Sequence, residues 1–334
     1  MWYKRSGDAP PFLGQGTGVG GGTSPIKRSG DAPPFLGDVS GVVGGVSPIY
    51  SGGKAVRGKF HGRVYHILSE IGSGGSGSVF LARCGDRTVA LKISKDMIGL
   101  IREYRYLKEF SPDGFAPEPY EIDDVVKDGD MKHCISIEYI KGNTLRQILK
   151  KGSLTLKNAL DIGIKLGGIL EKIHRKGLIY CDLKPENVIV CPDGSVKLVD
   201  LAGIMREGAS IREFTKNYDR GAWNMGPRIA DRNYNMFSLA CIIIEMLEPQ
   251  KFKKAAHISG LLSVVRSKYP PGFFNLIDSA LKGSIEFDVF YRNLVSLSAQ
   301  IKDKNPSRSA DAILNIVLVC SFLFFIFTIL LAAG

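Results

Sequence analysis

The stretch that most constrains this chain is Ile179 to Gly203, IYCDLKPENVIVCPDGSVKLVDLAG. Two short β-type runs, Val188-Ile189-Val190 and Val196-Lys197-Leu198-Val199, flank Pro192-Asp193-Gly194-Ser195. Proline and glycine supply the turn angles, so the two runs are expected to close as a tight hairpin. Closure brings Asp182, Asn187 and Asp200 toward one site. A carboxylate there can orient an attacking hydroxyl, while an amide oxygen and a second carboxylate can hold a hard divalent cation against phosphate oxygens. Asp182 suits the first task; Asn187 and Asp200 suit the second.

D-L-K-P-E-N at 182 to 187 resembles the catalytic loop of the Ser/Thr branch of the eukaryotic-type (Hanks-type) protein kinase superfamily, and D-L-A at 200 to 202 resembles its metal-binding DFG element. The resemblance implies a two-lobed α+β fold, with a small β-rich N-lobe and a helical C-lobe. It also implies transfer of the ATP γ-phosphoryl group with Mg²⁺, or Mn²⁺ in its place. By the same likeness Asp182 orients the substrate hydroxyl, Lys184 contacts the transferred phosphate, and Asn187 and Asp200 hold the metal.

Upstream, Val64 to Glu70 reads as a strand running into Ile71 to Phe80, IGSGGSGSVF, a G-x-G-x-x-G loop that leads back into a strand. Glycines let backbone N–H groups approach phosphates without Cβ clashes. A following strand, rather than a helix, disfavours a dinucleotide fold and matches the nucleotide lid of the kinases. Gly72, Ser73, Gly74, Gly75, Ser76, Gly77 and Val79 are the lid residues this implies. Thr88 to Ile93, TVALKI, is the next strand; its Ala90 and Lys92 resemble the family's V-A-x-K setting, in which the lysine meets the α and β phosphates.

Asp96 can cap a helix reaching about Phe110, with Leu100, Glu103, Leu107 and Phe110 recurring at helical spacing. Glu103 falls inside that apolar stripe, where an unpaired carboxylate is costly. Lys92 is its natural partner, and Glu109 is the alternative because the segment between strand and helix is short. Met131 to Ile140 alternates into the position of the family's hinge, so Glu138 to Ile140 would offer backbone groups to adenine. Helices are expected at Leu145 to Leu149 and Leu156 to His174, with His174 structural rather than a base.

Beyond Gly203 the likeness thins. Thr215 and Tyr218 are hydroxyls open to phosphorylation in the activation segment, 204 to 226, and Met225-Gly226-Pro227 is the nearest counterpart of the A-P-E ending. Asn235 to Ala240 resembles the start of the central C-lobe helix, with Asn in place of the usual Asp. Asn305-Pro306-Ser307-Arg308 resembles a motif of the closing helices. Cys181 replaces the Arg that would read a phosphorylated loop, so activity is expected to be independent of that modification. Ala202 replaces the Gly of DFG and restricts the backbone there.

These elements place a kinase domain at 60–314 within the 334 residues, whose 44% hydrophobic content is ample for its core. Residues 1–59 are expected to be a Gly/Pro-rich arm carrying two 23-residue repeats, 4–26 and 27–49, in which KRSGDAPPFLG recurs unchanged. Ser6 and Ser29 could accept phosphate, or Pro-Pro-Phe-Leu could dock a partner. The net charge of +11 is not gathered into a Lys/Arg patch interleaved with aromatics, so nucleic acid is not expected as a partner. Six cysteines without a C-x-x-C pair fit reduced thiols. Lys4-Arg5 is not followed by an apolar run, so no secretory signal is expected.

Residues 313–333 form an apolar run broken by Asn315, Ser321 and Thr328, long enough to cross the ~30 Å hydrocarbon layer as one transmembrane helix. Lys302, Lys304 and Arg308 precede it and keep that side cytoplasmic. The reading is a membrane-anchored kinase, with its catalytic domain in the cytoplasm, acting on a protein substrate. Two rivals are a nucleotide-binding pseudokinase scaffold and a kinase for a lipid or small molecule at the bilayer.

Overall fold

A computed structural model describes residues 55–301 apart from Ser76 and Asp128. The repeats at 4–26 and 27–49, the Asn305–Arg308 motif and the apolar run at 313–333 lie outside the described residues. Among the described residues no helix is long and apolar enough to cross a membrane.

Six antiparallel strands form the first layer: β1 (Ala55–Arg57), β2 (Val64–Gly74), β3 (Gly77–Cys84), β4 (Arg87–Ser94), β5 (Pro119–Lys127) and β6 (Asp130–Glu138), in the order β1-β2-β3-β4-β6-β5. The TVALKI run is central strand β4, buried on both faces from Val89 onward. Its alternation sends Val89, Leu91 and Ile93 into a cluster with Tyr65, Phe80 and Val125. Ala90 and Lys92 therefore face the other way, toward the helices.

Helix α1 (Met97–Phe110) packs on β5 and β6. Asp96 caps it by accepting the Gly99 N–H at 2.9 Å. Leu100, Glu103, Leu107 and Phe110 are all buried, as their spacing predicts.

Residues 55–59, assigned by composition to the arm, belong to the sheet. β1 pairs with β2, and Gly58 bridges Val125 on β5, so the two ends of the sheet meet. Lys59 N–H donates to Asp124 O at 2.8 Å, and the Phe60 and His61 N–H groups donate to the Asp123 carboxylate at 2.9 Å each. Next to it Tyr65 Oη donates to Glu121, and Arg63 Nε lies 2.5 Å from the same carboxylate. Gly-Gly-Lys and Arg-Gly-Lys around so short a strand disguised it, because the contacts that anchor the residues after it, to Asp123, Asp124 and Val125, lie far along the chain.

The C-terminal lobe contains α2 (Leu145–Lys151), α3 (Leu156–His174), α4 (Arg232–Leu247), α5 (Pro249–Lys254), α6 (Ile258–Lys268), α7 (Pro271–Lys282) and α8 (Phe287–Gln300). α4 is buried from Tyr234 to Leu247 and is packed by α3, α5, α7 and α8. Leaving a buried polar side chain unpaired is costly, and Asn235, Ser238 and Glu245 are each hydrogen-bonded. Short strands β7 (Asn143–Thr144), β8 (Leu178–Tyr180), β9 (Val188–Val190), β10 (Val196–Leu198) and β11 (Ile204–Arg206) frame the loops between the lobes. Cys84, Cys134, Cys181, Cys191 and Cys241 are free thiols.

Burial alone would raise the Asp123 carboxyl, but the N–H groups of Phe60, His61 and Asp124 outweigh it and hold the carboxyl below its usual value. A carboxyl lowered by folding stabilises above its unfolded pKa, near 3.8, and that contribution is lost as pH falls through the lower folded value. Asp123→Ala is expected to cost about 1–3 kcal/mol at pH 7. Urea unfolding should show the gap from wild type narrowing below pH 4; a gap that stays constant down to pH 2 would contradict this account of the sheet closure.

Candidate active site

Lys92 Nζ lies 2.7 Å from Glu103 Oε2 and 3.1 Å from Asp200 Oδ2. These three come from β4, from α1 and from the loop after β10, so one ammonium joins the sheet, its helix and the C-terminal lobe. Lys92 is 4% exposed and Glu103 1%. Burial disfavours the Lys92 charge, but Glu103 and Asp200 outweigh it and the ammonium is held well above its usual pKa. For Glu103, burial and then the Asp200 charge push the carboxyl upward, and Lys92 pulls against them. Burial also opposes the Asp200 charge, yet Lys92, the Ala202 N–H and Lys184 together hold that carboxyl below its usual value. The alternative, Glu109, instead lies 3.3 Å from Lys176.

The hairpin of β9 and β10 forms with Val188 opposite Leu198 and Val190 opposite Val196. Its turn is closed by Gly194 N–H to Cys191 O at 2.9 Å. It brings Asp182, Lys184, Asn187 and Asp200 together. Asp182 Oδ2 accepts Lys184 Nζ at 2.6 Å and Asn187 Nδ2 at 3.1 Å, while Oδ1 accepts Thr215 Oγ1 at 3.0 Å. Asp200 Oδ1 accepts the Ala202 N–H at 3.0 Å. Gly203 packs so tightly on this loop that a Cβ there would meet Asp182 Cβ at 2.6 Å.

Thr215 and Tyr218 are therefore not the open hydroxyls their loop position predicts. Thr215 is spent on Asp182, and Tyr218 is buried with its hydroxyl on Glu245 Oε2 at 2.5 Å. Cys181 sits in an apolar cluster with Ile179, Ile211, Ala230 and Tyr234, where burial pushes its thiol up to about 12. Internal ion pairs fasten the neighbouring segment: Arg220 with Asp231 at 2.6 Å and Arg228 with Asp219 at 2.8 Å.

Sequence reasoning missed Tyr180. Its hydroxyl donates to Asp200 O at 2.6 Å and accepts Asn187 Nδ2 at 3.1 Å, so it ties the two residues assigned to metal. It stands in an apolar β run, and only the expectation that a buried phenol needs a partner could have flagged it. Asn235 Oδ1 in turn accepts the Tyr180 N–H at 3.2 Å and His174 Nε2 at 2.9 Å, and its Nδ2 donates to Tyr180 O at 2.5 Å. An amide thus binds both backbone groups of Tyr180, and His174, whose pKa burial lowers, is structural as expected.

The glycine loop is the turn between β2 and β3, with Gly72 opposite Val79, Ser73 opposite Ser78 and Gly74 opposite Gly77. Gly75 lies in the turn itself; Ser76 is outside the described residues. Gly77 has φ +120°, and a Cβ there would meet Ile93 O at 2.3 Å, so no other residue fits. Val79 stands opposite Lys92 and Ala90 two residues before it, all on the face toward the C-terminal lobe. At the proposed adenine edge, Glu138 N–H is already engaged by Glu118 O at 2.8 Å, which leaves Glu138 its carbonyl to offer; Ile140 is buried.

The Asp200 carboxylate and the Asn187 amide oxygen are hard donors of the kind Mg²⁺ takes. Asn187 Nδ2 is committed to Asp182 and Tyr180, which leaves Oδ1 for a cation. The donor set fits the metal.

A lobed fold with these groups at the junction defines the protein kinase class. The family model described as the protein kinase domain matches residues 65–268, more than half of the chain, and the chain belongs to that family. It is 34% identical over 209 residues to the serine/threonine-protein kinase YabT of Bacillus subtilis, covering 60% of this chain and 61% of that protein. It is 33% identical over 202 residues to a probable serine/threonine-protein kinase of Clostridium perfringens, covering 57% of this chain and 29% of that one. It is 26% identical over 207 residues to the serine/threonine-protein kinase PrkC of Bacillus subtilis, covering 58% of this chain and 31% of that one. The chain thus spans less than two thirds of the length of these relatives.

Tyr180→Phe removes the only hydrogen bond to Asp200 O seen among the described residues. It is expected to lower unfolding stability by about 1–3 kcal/mol. Chemical denaturation checks this, and an unchanged midpoint would show that the phenol does not hold the Asp200 loop.

Proposed function

We propose that the chain transfers the γ-phosphoryl group of ATP to Ser or Thr hydroxyls of a protein. The observation that carries this reading is the convergence of Lys92, Glu103 and Asp200 on one side of the junction with Asp182, Lys184 and Asn187 on the other. Lys92, oriented by Glu103, binds the α and β phosphate oxygens. Asp182 accepts the hydrogen bond of the incoming hydroxyl and takes its proton, and Lys184 offsets negative charge on the transferred group. Asp200 and Asn187 would hold Mg²⁺, which would supply positive charge to the phosphate oxygens. The glycine turn of β2 and β3 covers the phosphates with backbone N–H groups.

The completeness of this set weighs against a scaffold that binds nucleotide without turnover, and the serine/threonine-kinase names of the relatives weigh against a lipid or small-molecule substrate. The apolar run at 313–333 supports a single-pass anchor with the catalytic domain on the cytoplasmic side. With Cys181 in an apolar cluster and the segment after β11 fastened by its own ion pairs, phosphate on that segment is not needed to order it.

Full-length protein in lipid vesicles, given Mg·ATP and a panel of proteins, should label Ser and Thr. Asp200→Ala should lower the rate at least 100-fold, in line with loss of a metal-positioning group. Prior phosphatase treatment should leave the initial rate within about twofold, by the absence of a phosphate-reading cation. Equal labelling by wild type and Asp200→Ala would overturn the assignment.

A further inference from the structure

Arg146 closes a second charged network beside Asp182 to which phosphoryl transfer assigns no task. It lies in the first turn of α2, and its guanidinium reaches three other parts of the chain. Nε donates to Glu186 Oε1 at 2.7 Å, Nη1 to Glu245 Oε1 at 2.5 Å and Nη2 to Tyr218 Oη at 2.8 Å. Tyr218 completes the ring by donating to Glu245 Oε2. The Glu245 side chain is 5% exposed and that of Glu186 47%, so the network runs from the interior to the surface.

Both stretches that border Asp182 end in it. Glu186 lies four residues beyond Asp182 on the same loop, and Tyr218 three residues beyond Thr215, whose hydroxyl rests on Asp182 Oδ1. A polypeptide that delivers a hydroxyl to Asp182 would bring its neighbouring side chains close to these two stretches, and Glu186 is the exposed end of the network there. Two carboxylates there would select a basic side chain through charge-assisted hydrogen bonds. Here the chain supplies that cation itself.

We propose that Arg146 occupies the acidic recess of Glu186 and Glu245, so that the substrates this chain takes need no Lys or Arg beside the acceptor Ser or Thr. The proposal rests on the kinase reading. Arg146 is on this view a specificity-determining residue: it touches neither nucleotide nor acceptor, and it works by filling a place that a substrate cation would fill. A purely structural role would leave substrate selection unchanged when the residue is altered.

The test is phosphorylation of a randomised Ser/Thr peptide library by the full chain. Wild type should show no enrichment of Lys or Arg around the acceptor. Arg146→Met keeps the apolar stem and removes the cation from both carboxylates, leaving Glu245 only the Tyr218 hydroxyl; it should enrich Lys or Arg at one flanking position roughly tenfold, the worth of one charge-assisted hydrogen bond. Adding Glu186→Gln to that variant should reduce the enrichment. The chain carries its own probe, since Ser6 and Ser29 each follow Lys-Arg, and their labelling should rise in Arg146→Met.

Basic selection by wild type, or an unchanged profile from a folded, active Arg146→Met, overturns the proposal. Should Arg146→Met fail to fold, Glu186→Ala alone decides: it removes the acceptor of Arg146 Nε, frees that N–H at the surface and should shift selection toward Asp or Glu, and an unchanged profile again overturns it. Wild type that labels no peptide or protein above its Asp200→Ala twin fails earlier, at the kinase reading itself.

Discussion

The buried ammonium of Lys92 is the interaction on which the rest depends. A cation 4% exposed needs anionic partners, and it has one on α1 and one on the loop after β10. That requirement fixes the rotation of α1 and the position of Asp200 relative to the sheet. It also leaves a positive charge at the base of the β2–β3 turn, where triphosphate oxygens would lie. Glu103 Oε1 has no partner among the described residues. The pair is therefore held by tertiary packing against a desolvation cost, which is the condition under which a small shift of α1 alters the site.

The second half of the site is built on α4. Because that helix is buried from Tyr234 to Leu247, three polar side chains it carries there have become fixed points: Asn235 holds Tyr180 by both backbone groups, Ser238 donates to Tyr218 O, and Glu245 holds Tyr218 and Arg146. Through Tyr180 the same helix reaches Asp200 and Asn187. Asn in place of a carboxylate at position 235 works here because a neutral amide can accept from one Tyr180 backbone group and donate to the other. Polar contacts of this helix thus reach the loop around Asp182, in which position 181 is a cysteine rather than an arginine.

Much of this was legible in the sequence because local signals agreed with tertiary demands. TVALKI alternates and is a strand; Asp96 precedes a 3.6-residue stripe and caps a helix; Pro-Asp-Gly-Ser separates two β runs and is a hairpin turn. Glu103 could be paired with Lys92 because a carboxylate in an apolar stripe demands a cation. What escaped notice depends on contacts between distant segments. β1 has three residues in a Gly-rich context; it pairs with β2, and the residues just after it are anchored by Asp123 and Val125, more than sixty positions away. Tyr180 resembled one more apolar residue of a strand. Thr215 and Tyr218 looked exposed because nothing local reports that Asp182 and Glu245 claim their hydroxyls.

The central claim is that Lys92 and Glu103 act as one unit in holding nucleotide phosphates, and a double-mutant cycle on Mg·ATP affinity tests it most directly. Calorimetry on wild type, Lys92→Met, Glu103→Gln and the double variant should give a coupling of at least ~1 kcal/mol, the range for residues in direct contact. Once Lys92 is lost, removing Glu103 should then cost little more. Additive losses, with each substitution weakening ATP independently of the other, would contradict the account.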